Sequence, residues 1–98
     1  MVRHIVFWQL EEEAEGKTKW ENAAIMKERL EGLLGVIPQL LEAEVGLNKN
    51  GGEYDACLVS KFESMEALKA YDAHPEHQKI RDFIGKVRVS RVAIDYEI

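Results

Sequence analysis

The 98-residue sequence has one cysteine, two prolines and three histidines, and only 8% of its residues are aromatic. A single thiol, Cys57, excludes an internal disulfide and fits a reducing, cytoplasmic setting. Two prolines leave no proline-rich linker. No run approaches the ~18 consecutive apolar residues of a membrane helix, so no membrane partner is expected. Glycine-rich phosphate loops, nucleophile elbows and Cys-x-x-Cys pairs are absent, which removes the chemistries those motifs mark. Positive charge is also short. Against 18 Asp and Glu stand 13 Lys and Arg, a formal net charge of -5. These bases are scattered apart from Arg88 and Arg91 near Lys86. Nucleic acid, which rewards clustered cations, is not an expected partner.

What remains is a globular balance, 46% hydrophobic and 32% charged, expected to form one domain over residues 1–98. A core of this size is thin, and association between copies would deepen it. The opening Val2 to Leu10 reads as a strand rather than a signal peptide, because three glutamates follow it and no small-residue cleavage site does. Val2, His4, Val6, Trp8 and Leu10 share one face, and Arg3, Ile5, Phe7 and Gln9 the other. Glu11 to Gly16 reads as an acidic, solvated connection.

Thr18 is a candidate N-cap for a helix from Lys19 to Leu34, with Trp20, Ala23, Met26, Leu30 and Leu33 as its apolar stripe. Gly35 and Pro38 stop it. Leu40 to Leu47 is a second strand, diluted by Glu42 and Glu44, and Asn50-Gly51 signals the hairpin to a third, Tyr54 to Phe62. Within that third strand Cys57 reads as a small buried hydrophobe rather than a nucleophile. Ser64 caps a helix through Tyr71, His74-Pro75 breaks it, and Glu76 to Gly85 resumes it. Arg88 to Glu97 is the last strand. The order β-α-β-β-α-β predicts an α+β, ferredoxin-like subunit with a four-stranded antiparallel sheet and helices on one face. Apolar groups on the other face call for a cover. A second copy is the simplest, giving a homodimer.

Val2 to Trp8, Phe62 to Leu68, the segment Tyr71-Asp72-Ala73-His74-Pro75-Glu76-His77 and the closing Val92 to Tyr96 resemble the stress-responsive A/B barrel (Dabb) family over essentially the whole chain. That resemblance implies subunits pairing into a dimeric α/β barrel. One enzyme of the family is a plant polyketide cyclase that closes olivetolic acid by intramolecular aldol condensation; other members are stress-associated scaffolds. Its catalytic tyrosine and histidine match Tyr71 and His77, and its substrate-pocket positions match His4, His74 and Asp95. A further pocket histidine of the cyclase falls near Ala56 and is absent here. Some relatives hold magnesium on backbone carbonyls, which would correspond to Leu34, Ile37 and Leu40. A heme-handling or monooxygenase activity, known in the wider barrel superfamily, has no residue signal in this chain.

Aldol chemistry needs a base for a proton beside a carbonyl and a donor for the developing oxyanion. His77 suits the first role and Tyr71 the second, with Asp95 orienting His77 or His4. No metal or organic cofactor is required. Each residue also has a structural alternative: His74 as a helix cap, His77 as a surface residue, Tyr71 as a core aromatic, and His4 as a buried, hydrogen-bonded imidazole. Two histidines across a proline turn make a poor zinc site. The expected function is binding of a small, partly apolar organic molecule with cyclase-like or lyase-like chemistry; the rival is a non-catalytic stress-associated dimer with no open pocket.

Overall fold

Alternation in the opening segment becomes strand β1 (Val2–Leu10), whose residues are buried at every second position. The computed structural model describes all 98 residues. A two-residue ribbon follows, β2 (Glu13–Ala14) with β3 (Lys17–Thr18), then helix α1 (Lys19–Glu31). Strands β4 (Glu42–Leu47) and β5 (Ala56–Phe62), helices α2 (Met65–Ala73) and α3 (Pro75–Val87), and strand β6 (Arg88–Glu97) complete the chain. The four long strands form one antiparallel sheet in the order β4-β5-β1-β6. This is the predicted ferredoxin-like α+β fold. Its three helices pack on the sheet face that carries Val6, Trp8 and Leu10, enclosing Met26, Leu30, Phe62 and Ile80.

Local chemistry sets the boundaries. Thr18 accepts the Glu21 N–H while the Glu21 carboxylate accepts the Thr18 N–H, a full capping box for α1. Ser64 accepts the Ala67 N–H at 3.1 Å and opens α2. His74 closes α2 and caps α3, its Nδ1 accepting the Glu76 N–H at 3.1 Å. Pro75, in the first turn of α3, forfeits only an N–H that no helical carbonyl would have met.

Several expectations are corrected. Helix α1 ends at Glu31 rather than Leu34, because three-residue turns at Leu33 and Leu34 tighten the chain and Gly35 then adopts a left-handed φ of 84°. Trp20 is 49% exposed, not part of the core. At 100° per residue it lies roughly a quarter-turn from the stripe of Ala23, Met26 and Leu30. The acidic connection is partly ordered as the β2–β3 ribbon, and buried Asn22 donates to the Ala14 carbonyl at 3.0 Å across it. Cys57 is only half-buried, on the face the helices leave open. The third strand is ordered from Ala56. Before it, buried Asp55 accepts the Leu10 N–H at 2.8 Å and its own N–H donates to the Trp8 carbonyl at 2.8 Å.

Edge strand β4 is fastened from outside the sheet. Glu31 accepts the Val45 N–H at 2.9 Å, and Lys27 Nζ, ion-paired to Glu31 at 2.8 Å, donates to the Val45 carbonyl at 2.6 Å. These bonds hold the Glu31 carboxyl below its usual range, the Lys27 contact contributing most. The opposite edge, β6, is exposed along nearly its whole length. On the open face Phe7, Val92, Ile94 and Tyr96 remain 38–55% exposed, beside half-buried Ile5 and Val59.

Candidate functional site

Strand register decides which of the sequence-predicted residues meet. In the β1–β6 ladder His4 stands opposite Asp95, Val6 opposite Ala93, and Trp8 opposite Arg91. All six share the helix-facing side, since residues directly opposite one another project from the same face. His4 is 7% exposed, and its Nδ1 bonds the Asp95 carboxylate. Of the two imidazoles that Asp95 was expected to orient, the structure selects His4. That carboxylate fixes the ring, and a hydrogen on Nδ1 leaves Nε2 with a free lone pair.

A cavity of about 420 Å³ opens between this ladder and α3. His4, Val6 and Trp8 line it from β1, and His77, Arg81, Ile84 and Gly85 from successive turns of α3. Those α3 positions recur at three- and four-residue spacing, one face of the helix. His77 is 9% exposed, so the surface alternative fails. Its Nδ1 lies 3.3 Å from the Asp72 carbonyl, and an Nδ1–H donated there leaves Nε2 unprotonated. Burial pushes the His77 pKa below its ordinary 6.5, against the opposing pull of the Asp72 carbonyl and carboxylate. Near neutral pH the ring is therefore an uncharged base.

Tyr71 packs behind His77, ring centroids 4.2 Å apart, and against Phe62 at 5.0 Å. It is 2% exposed and does not line the cavity. Burial drives its phenol well above the usual range, with the Asp72 carboxylate adding to the rise, so the hydroxyl stays protonated. His74 stands outside the cavity lining, in its capping role. Asp95 acts from behind His4 rather than from the cavity wall.

No three His, Cys, Asp or Glu side chains are grouped to hold an ion. Of the carbonyls at Leu34, Ile37 and Leu40, that of Ile37 already accepts the Leu40 N–H at 3.1 Å.

Sequence reading passed over Trp8 as part of an apolar strand face, over Arg81 as scattered charge, and over Arg88 and Arg91 as a short basic cluster near Lys86. All four line the cavity. Two signals were available: the four-residue step from His77 to Arg81, and the two-residue alternation through Arg91, Ala93 and Asp95. Neither carries weight until the register of β6 on β1 is known.

His77 also makes stability depend on pH. Its folded pKa lies below 6.5, so between the two values the unfolded chain binds a proton that the folded chain refuses. The site's contribution is complete above about 6.5 and is lost as pH falls toward the folded value. Urea midpoints for wild type are expected to drop more between about pH 7.5 and about pH 5.5 than those of His77→Gln. Equal drops would show that His77 titrates alike in both states.

Comparison with known proteins agrees with this architecture. A solved dimeric protein of unknown function with a ferredoxin-like fold, from Bacteroides fragilis, is 33% identical. It covers 99% of this chain and 95% of its own at a TM-score of 0.84. A Dabb family protein from Mesorhizobium loti is 20% identical, with 99% and 95% coverage and a TM-score of 0.75. Hydroxynitrile lyase from Passiflora edulis is 17% identical, with 99% and 92% coverage and a TM-score of 0.75. At these last two identities the likeness is one of fold alone. No curated protein matches the chain. The pattern of the stress responsive A/B barrel domain matches residues 2–98, nearly the whole sequence. On that match, the chain belongs to the stress responsive A/B barrel domain (Dabb) family.

Proposed function

We propose that residues 1–98 act as one domain in a cytoplasmic homodimer, and that each subunit's cavity binds a small, partly apolar organic molecule and performs cofactor-independent aldol or lyase chemistry on it. One observation carries the reading: a buried imidazole, kept neutral, borders an open cavity beside a second imidazole fixed by a carboxylate. A stress protein packed shut would have no use for about 420 Å³ of space there. The lyase named above supports the chemistry to the extent that the same fold serves it.

In this reading His77 Nε2 removes a proton from a carbon next to a carbonyl, and the carbon–hydrogen electron pair becomes an enolate. The enolate carbon attacks a second carbonyl of the same molecule, and the resulting alkoxide takes back a proton from the His77 imidazolium. In the lyase direction the carbon–carbon bond breaks instead. His4 serves the reacting oxygen, since Asp95 supports the imidazolium that forms when the ring carries a second proton. Tyr71 stays protonated and so cannot act as the base; its contact with His77 is ring to ring, and it sets the plane of the base.

The test is hydrogen exchange on carbon. A panel of methyl ketones incubated with the protein in deuterium oxide near neutral pH is expected to gain deuterium beside the carbonyl faster than in buffer. A panel that exchanges at the buffer rate throughout removes the catalytic reading.

A further inference from the structure

We infer that the end of the cavity away from the two histidines is an anion site, which takes the carboxylate of an elongated, partly apolar organic acid. The inference rests on the small-molecule reading above and names the class of ligand. Both walls run in the same sense. Along β1 the cavity passes from His4 through Val6 to Trp8, about 13 Å at the rise of an extended strand. Along α3 it passes from His77 through Arg81 to Ile84 and Gly85, about 11 Å at the rise of a helix. Arg88, which caps the end of α3, and Arg91, opposite Trp8 in the ladder, then close the far end. Acid–base groups, with Arg81 one helical turn after His77, therefore occupy one end, aliphatic Val6, Leu58 and Ile84 the middle, and the guanidinium groups of Arg88 and Arg91 the other.

The far end has more donors than acceptors. The indole N–H of Trp8 is buried and has no hydrogen-bond partner. An unpaired buried donor costs free energy that an acceptor on a ligand would recover. None of Arg81, Arg88 and Arg91 has a carboxylate within 4.0 Å, although Arg3 on the other face pairs with Glu42 at 3.2 Å. Two acids do line the cavity. Asp72 lies at the histidine end, its carboxylate 3.9 Å from His77 Nδ1, and Asp82 approaches none of the three arginines as an ion pair. A carboxylate suits the planar fork of a guanidinium. Room for the chain of the acid exists beside Gly85, where a Cβ would meet nothing within 4 Å.

The experiment compares two probes of one length, octanoate and octanol, on a Trp20→Phe protein whose sole indole is Trp8. Fluorescence titration gives the affinities, and the Trp8 indole N–H resonance shows whether that donor finds an acceptor. Octanoate is expected to bind at least about tenfold more tightly than octanol, and to shift the indole resonance. The double variant Arg88→Gln/Arg91→Gln should bring the two probes within about threefold, while Arg3→Gln, outside the cavity, should leave the preference intact. His77→Gln should also retain octanoate, since it alters only the reacting end. Equal affinities in wild type, or a preference that survives the double variant, would overturn the anion site and leave the binding cavity standing. Failure of both probes to bind at millimolar concentration would overturn the site together with the binding reading beneath it.

Discussion

His77→Gln is expected to slow proton abstraction from carbon by about 100-fold or more while the protein stays folded, because a positioned general base contributes about 100- to 10,000-fold. The glutamine amide can still donate to the Asp72 carbonyl now facing His77 Nδ1, so the turn between α2 and α3 keeps its hydrogen bond. What disappears is the lone pair on Nε2, and nothing else at that end of α3 replaces it. Packing against Tyr71 weakens, at a cost of about 1 kcal/mol, or a melting temperature lower by roughly 4–8 °C. The wild-type profile of kcat/KM against pH should fall on its acid side with a midpoint below 6.5, since burial holds the free enzyme's imidazole neutral down to that region. A variant that keeps its turnover, or a wild-type acid limb well above 6.5, would move the base elsewhere.

Ile94→Asp is expected to convert a dimer into a folded monomer at micromolar concentration. Ile94 stands opposite Ile5 on the open sheet face, 55% exposed in the isolated subunit, among Phe7, Val92 and Tyr96. Covering the exposed part of that side chain in both subunits would contribute about 1.5–3 kcal/mol, so its loss raises the dimer Kd about 10- to 200-fold. Two aspartates brought together by a two-fold axis add repulsion. Ile94 lies outside the buried core of the subunit, and the far-ultraviolet spectrum should be unchanged. Sedimentation of both proteins decides the matter: a monomeric wild type, or an aspartate variant that remains dimeric, would show that this face is not the interface.

The fold was largely legible because its signals are local. Alternation through Val2, Val6 and Leu10, helical spacing through Ala23, Met26 and Leu30, and the breaks at Gly35 and Pro75 each act within a few residues. Trp20 was misread because apolar character at helical spacing does not say where the stripe is centred, and buried Asn22 pulls that centre away from it. The β2–β3 ribbon was missed because a two-residue pairing has no period to read. Site residues were legible as candidates but not as an arrangement. His4 and Asp95 lie 91 positions apart, and only the register of β6 on β1 makes them partners. By the same token, Tyr71 and His77 are neighbours whose facing side chains depend on the turn that His74 and Pro75 impose. Arg91 reads as surface charge until Trp8 is placed beside it.

The clamp on β4 has a consequence for how copies of this chain can meet. An incoming strand adds to a sheet by finding free N–H and C=O groups along its margin. At Val45 both are occupied, by Glu31 and Lys27, and an intruder would have to break an ion pair as well as two hydrogen bonds. Lateral growth is thereby opposed at the middle of that margin, whereas the exposed β6 edge carries no such clamp, so the two edges of the sheet differ in how readily they accept a neighbour, without any proline in the strands.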